Sequence, residues 1–150
     1  VLGLAACALN DNIMAVGVDI DADAVWIANA NAETNALSMF NFLPPLTANS
    51  DGESKSVLMK AHQKKGVEVL PEKSNAPIYD ALVANILAGP LVTLAPTLAS
   101  LIRPTGLLGL SGILAPQSNM IIEAYSEYFE NVKVEEEQEG WVLITGVRKQ

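Results

Sequence analysis

Cysteine, histidine and aromatic residues are all scarce in this chain of 150 residues, which holds one Cys, one His and 5% aromatics. A single cysteine cannot form an internal disulfide, so nothing points to an oxidising compartment. Cys7 lies in an apolar, helix-like run with no basic neighbour in sequence to stabilise a thiolate, and it reads as a buried, inert thiol. The lone histidine, His62, stands beside lysines in a polar stretch, where a solvated surface position is expected. No Ser-His-Asp order, metal-ligand spacing or P-loop is present, and no metal is implied. Basic residues are also few, 9 against 17 acidic, for a net charge of −8. Phosphate neutralisation needs clustered Lys and Arg, and only Lys60 to Lys65 cluster, in an expected loop, so a broad nucleic-acid face is excluded. The charge suits a soluble, cytoplasmic protein whose partner, if any, is basic. Long apolar runs are missing too. Residues 1–9 are apolar but too short to span a bilayer, and no positive flank makes them a secretion signal. Opening on Val in mid-helix, the chain reads as a fragment.

What is present is an α/β pattern. Half of the residues are apolar and 17% are charged, which describes a globular chain of about one domain. Residues 1–9 are apolar all round and predict a buried helix that stops at Asn10. Residues 13–20 are a continuous apolar run and predict a fully buried parallel strand. Asp21 is placed to cap the next helix, with Asp23 in its first turn, and Asn35 is placed to take a left-handed conformation at its end. From 38 to 66 the pattern dissolves into Pro, Ser, Asn, Asp and Lys, the composition of an insertion or lid.

Short strands are predicted at 67–70 and 78–84. A helix follows over 90–102 with Leu91, Leu94, Ala95, Leu98 and Ile102 on one face, interrupted by Pro96. Pro104-Thr105-Gly106 turns into a strand at 107–111, and 115–129 is helical. Residues 132–135 and 141–147 form a closing antiparallel hairpin through an acidic turn containing Gly140. The acidic residues Glu135, Glu136, Glu137 and Glu139 read as a solvated turn, and Trp26 and Trp141 as packing residues. Alternation of this kind predicts a mostly parallel sheet with helices on both faces and right-handed connections.

Two polar residues end buried strands, Asp19 and Asn85, where open α/β sheets bind ligands. A carboxylate at the end of a second strand can accept from both hydroxyls of a ribose, a feature that nicotinamide-dependent oxidoreductases share with methyl-transferring enzymes. The competing reading of Asp19 is a helix cap, for which Asp21 is better placed. The competing reading of Asn85 is an amide that satisfies loop backbone.

The strings Val83-Ala-Asn-Ile-Leu-Ala-Gly-Pro-Leu91 and Gly106-Leu-Leu-Gly-Leu-Ser-Gly-Ile-Leu-Ala115 closely resemble the PrmA family, which methylates ribosomal protein L-eleven. Gly17-Val-Asp-Ile-Asp21, Asn31-Ala-Glu-Thr-Asn35 and Trp141-Val-Leu-Ile-Thr-Gly146 match it in the same order. The resemblance implies a Rossmann-like, class I methyltransferase sheet and S-adenosylmethionine as cofactor. It implies transfer to lysine side chains and the terminal α-amine of that ribosomal protein, in a cytoplasmic enzyme that is monomeric at full length and touches neither membrane nor nucleic acid directly.

The family's ribose-binding acid falls on Asp19, with Ile20 beside it at the cofactor. Its asparagine near cofactor and reacting amine falls on Asn85. On this reading residues 1–150 are an incomplete catalytic domain with a polar insertion at about 38–66. The first strand and its glycine-rich loop would precede Val1, and an amino-terminal recognition domain is absent. That strand would lie between those at 13–20 and 78–84, so the chain alone is expected to be inactive. Pro104-Thr105-Gly106 departs from the family's usual Pro-Gly-Gly turn.

Overall fold

In a computed structural model, which describes residues 1–44, 68–69 and 78–150, the chain divides into two units, residues 1–73 and 74–150. The first unit contains α1 (Leu2–Leu9), β1 (Ala15–Val18), α2 (Ala22–Thr34) and β2 (Met39–Phe42). The second contains β3 (Tyr79–Asn85), α3 (Ala88–Leu101), β4 (Ile102–Leu114), a 3₁₀ turn (Ala115–Gln117), α4 (Ser118–Ser126), β5 (Phe129–Gln138) and β6 (Trp141–Arg148). Two ladders are parallel, β1 with β2 and β3 with β4, and the β5–β6 hairpin adds to β4 in the antiparallel sense. The expected α/β class with a carboxyl-terminal hairpin is what the strands show.

The first unit is a two-layer arrangement. Ala15 and Met39 face Leu4 and Cys7 of α1 and Ala32 of α2, and Ala22 and Val25 close over Leu43. The opposite face carries Val16, Val18 and Phe40, which are exposed. The fully buried strand expected at 13–20 is therefore shorter and covered on one side only, because both helices of its unit pack on the Ala15 face. Helix α1 is likewise not buried all round. Cys7 is its one buried residue, with its Sγ donating to the Ser38 carbonyl at 3.5 Å.

Strand β2 falls inside the stretch expected to be irregular from residue 38. Its Asn41 is buried, and Asn29 of α2 supplies what a neighbouring strand would. Asn29 Oδ1 accepts from the Asn41 backbone N–H at 2.8 Å, and its Nδ2 donates to the Asn41 carbonyl at 3.0 Å. Both backbone groups are thereby satisfied, which their burial requires. Of the strand expected at 67–70, Val69 forms an isolated parallel bridge to Leu43 and the Glu68 carbonyl accepts from the Leu43 N–H at 2.9 Å; residues 67 and 70, like most of the 38–66 stretch and His62, lie outside the described residues.

Helix α2 begins as expected, with Asp21 at its N-cap accepting from the Asp23 N–H at 2.8 Å. Its end differs. Asn35 stays right-handed, and Ala36 takes the left-handed position at φ 51°. The N–H of Leu37 reaches the Ala32 carbonyl and that of Ala36 reaches Glu33, the paired closure of a Schellman motif.

In the second unit, Leu82 and Ala84 of β3 and Leu108, Leu110 and Ile113 of β4 pack beneath α3 and α4. Val83 and Leu107 project from the uncovered face and are exposed, so this strand too is buried on one side. Helix α3 starts two residues before Pro90. A proline at the third helical position is tolerated because the first N–H groups of a helix have no internal partner. Its buried face is Ala88, Leu91, Ala95 and Ala99, while Leu94 is 37% exposed. The small residues let α3 lie close to the sheet.

Tyr125 of α4 locks onto α3 by donating to the Leu91 carbonyl at 2.9 Å. Burial pushes its hydroxyl up to about 12, which keeps it a donor at any ordinary pH. Residues 127–129, expected to be helical, instead lead into β5, where Phe129 is buried beneath the Arg148 guanidinium, 5.8 Å from the ring centre. The tryptophans expected to pack are half exposed. Glu139 and Gly140 form the hairpin turn with φ 53° and 81°, the left-handed pair of a type I′ turn.

Thr105 carries backbone strain. It sits at φ 67° in the excursion between the Tyr79–Ile102 and Ala81–Leu107 pairs, a conformation that a β-branched residue adopts at a cost of about 1–3 kcal/mol. Thr105→Gly is therefore expected to raise stability by about 1 kcal/mol, the larger freedom of glycine in the unfolded chain offsetting part of the relief. Urea unfolding of both proteins checks this, and a midpoint that falls would contradict the strain.

Candidate functional site

The β3 strand ends on Asn85, and the chain leaves the sheet through Ile86 and Leu87 before α3 begins at Ala88. Hydrophobic residues flanking a helix start usually give way to a capping hydroxyl or carboxylate, but Leu87 offers none. Asn85 does not serve instead. Its carboxamide makes no hydrogen bond with any other described residue, and the residue is exposed. The reading in which this amide satisfies loop backbone thus finds no partner among the described residues. Around it stand Val83, Ile86 and Leu87, exposed at 60%, 40% and 71%. A polar group without a hydrogen-bond partner among the described residues thus stands beside three exposed apolar side chains.

One side of Asn85 is closely bounded. Asn85 pairs in register with Ser111 of β4, and the next residue, Gly112, is left-handed at φ 78°. A Cβ built on Gly112 would lie 2.9 Å from the Asn85 Oδ1 and 2.6 Å from the Ile86 carbonyl oxygen. Only a glycine leaves this space free. No sequence pattern singled out Gly112, because its conformation follows from a bulge that only the β4–β6 register reveals.

Asp19 follows the last residue of β1, its N–H donating to the Phe42 carbonyl at 3.2 Å. Its side chain is exposed, and Oδ1 accepts the Asp21 N–H at 2.9 Å. One carboxylate oxygen thus holds the turn into α2 and fixes the direction of the group, while Oδ2 has no partner among the described residues. Asp21, not Asp19, caps the helix. Ile20 is 56% exposed beside them. Asp19 and Ile20 belong to the first unit and Asn85 to the second, and each is described within its own. A separate hollow of about 370 Å³ in the first unit is lined by Asn29, Glu33, Asn41 and Glu68 among others, and Asp19 is not part of it. Among the described residues no group of His, Cys, Asp and Glu is placed to hold a metal ion, and no helix is long and apolar enough to cross a membrane.

A ribosomal protein L11 methyltransferase of Pseudomonas paraeruginosa is 40% identical over 149 residues, which are 99% of this chain and 42% of the relative. One of Marinomonas is 38% identical over 148 residues, covering 99% of this chain and 41% of the relative. The chain therefore spans about two-fifths of the length of the curated relatives it matches. A crystal structure of a ribosomal protein L11 methylase from Lactobacillus delbrueckii subsp. bulgaricus superposes with a TM-score of 0.54 at 21% identity, over 99% of this chain and 76% of that one; at that identity the likeness speaks for the fold. Residues 1–149 match the family described as "Ribosomal protein L11 methyltransferase (PrmA)". The chain belongs to that family.

Proposed function

We propose that the protein transfers methyl groups from S-adenosylmethionine to amines of ribosomal protein L11, with Asn85 orienting the amine and Asp19 holding the cofactor's ribose. The observation that carries this reading is Asn85 itself, an exposed carboxamide at the carboxyl end of a strand, free of hydrogen bonds to the other described residues. Family membership over residues 1–149 supports the reaction class and removes the ground for a nicotinamide-dependent oxidoreductase, which would share Asp19 but has no use for the amide.

The residues suit the group they would hold. An ionised carboxylate whose direction is fixed by the Asp21 N–H, with its second oxygen open, can accept from a ribose hydroxyl. Ile20 adds apolar surface beside it. When bound, S-adenosylmethionine supplies a methyl group already activated by a positively charged sulfur, so alignment is the main task left to the protein. An ammonium has no lone pair, and the amine must be neutral to react. The Asn85 Oδ1 accepts one N–H of the neutral amine and points its lone pair, and the exposed strand end leaves the ammonium proton free to pass to solvent before transfer. Localisation in the cytoplasm and action as a monomer, with neither membrane nor nucleic acid as a partner, accompany this reading. So does a polar insertion at about 38–66.

The experiment uses the full-length protein. Calorimetric titration is expected to show binding of S-adenosylhomocysteine and none of NADH, and labelled methyl groups are expected to pass from S-adenosylmethionine to purified ribosomal protein L11. Binding of NADH without S-adenosylhomocysteine would overturn the reading.

A further inference from the structure

We propose that Gly112 is a positioning residue that fixes where the Asn85 carboxamide points, so that strand β4 sets the aim of the group at the end of β3; this rests on the role proposed above for Asn85. In the β4–β6 ladder, Leu110 pairs with Ile144 and Ile113 with Val142, so Ser111 and Gly112 together stand against Leu143 alone. The extra residue makes a bulge, a device that bends a strand and re-aims what lies beside it. Ser111 Oγ donates to the Val142 carbonyl at 3.4 Å and ties the bulge to β6. On its other side the bulge pushes the Gly112 backbone toward the β3 exit. There the space of a missing Cβ is bounded by the Ile86 carbonyl oxygen at 2.6 Å, the Asn85 Oδ1 at 2.9 Å and the Ile86 carbonyl carbon at 3.0 Å.

Those contacts matter because no hydrogen bond to another described residue holds the carboxamide. Its orientation is limited by the space around it, and on the Gly112 side that space stays open only because no Cβ stands 2.9 Å from Oδ1 and 2.6 Å from the Ile86 carbonyl oxygen. Any side chain at 112 meets two backbone atoms of Ile86 and the amide oxygen at once. That backbone yields only by moving the start of α3, so the amide turns or the 86–87 peptide shifts, and the acceptor is re-aimed. A displacement near 1 Å at a positioning group can cost about 100-fold in rate. Gly109, three residues earlier on the same strand, makes the contrast. A Cβ there would meet only Val83 methyl groups at 3.9 and 4.0 Å, and its φ is not left-handed.

The test is a double-mutant cycle in the full-length protein, following methyl transfer to ribosomal protein L11. Gly112→Ala is expected to lower kcat at least tenfold per folded molecule while changing the KM for S-adenosylmethionine less than threefold, and Gly109→Ala to stay within twofold of wild type. If Gly112 acts through Asn85, the double variant N85A/G112A is no slower than the slower single variant. Losses that multiply in the double variant overturn the proposal. So does a G112A protein that melts at a lower temperature but keeps its kcat, which is what a purely structural glycine would give. N85A within twofold of wild type removes the functional reading itself and this inference with it, an outcome distinct from the other two. Should G112A fail to fold, the wild-type protein decides by NMR. A nuclear Overhauser contact between the Asn85 side-chain amide protons and a Gly112 Hα is expected, and its absence overturns the proposal.

Discussion

Replacing Asn85 by alanine in the full-length protein is expected to lower kcat for methyl transfer about 100-fold, with the KM for S-adenosylmethionine changed by much less. The magnitude is that of losing a fixed hydrogen-bond partner at the reacting centre. The split between kcat and KM follows from position. In the proposed role Asn85 meets the amine from its strand end, and an interaction made with the reacting group counts most where the amine must be aligned. Stability should hardly change, because the exposed carboxamide makes no hydrogen bond with another described residue whose loss would leave a buried group unpaired. Asn85→Asp sharpens the test. It keeps an acceptor but adds a charge that would bind the ammonium form and hold its proton, so it too is expected to be slow, with a rate that rises toward alkaline pH. A kcat for N85A within about twofold of wild type would end the assignment.

Asn85 and Asp19 were legible in the sequence because a polar residue closing an apolar run is a break in pattern that periodicity exposes directly. The order of helices and strands was legible for the same reason, as was the hairpin through its acidic, glycine-containing turn. Strand β2 was not. Its inward residue Asn41 is polar, and it is tolerated there only because Asn29 satisfies its backbone and because Gly17 opposite leaves room; a Cβ at Gly17 would fall within 2.2 Å of the Asn41 Oδ1. A pairing between a helix residue and a strand residue twelve positions apart has no signature in a window of the sequence. The one-sided burial of β1 and β3 was equally out of reach, since a continuous apolar run such as 13–20 specifies both faces as apolar and not which of them helices of the same unit cover. Thr105 was visible as a departure from a Pro-Gly-Gly turn, but only its φ of 67° turns that departure into strain.

For Asp19 the informative substitution is asparagine. The proposed role gives the carboxylate two functions on two oxygens. Oδ1 accepts the Asp21 N–H at 2.9 Å and holds the turn that lets Asp21 cap α2, and Oδ2 is the atom left to meet a ribose hydroxyl. An asparagine oxygen can replace Oδ1 in the turn, but the amide nitrogen then stands where Oδ2 was, a donor in place of a charged acceptor. Asp19→Asn is therefore expected to fold with an unchanged melting temperature and to bind S-adenosylhomocysteine about 10- to 100-fold more weakly. This corresponds to losing one hydrogen bond to a charged group, about 1.5–3 kcal/mol. Asp19→Ala loses both functions and should weaken binding at least as much while also destabilising the turn. The comparison separates the two oxygens. If the asparagine variant binds like wild type and only the alanine variant is impaired, Asp19 is a turn residue and the ribose is held elsewhere.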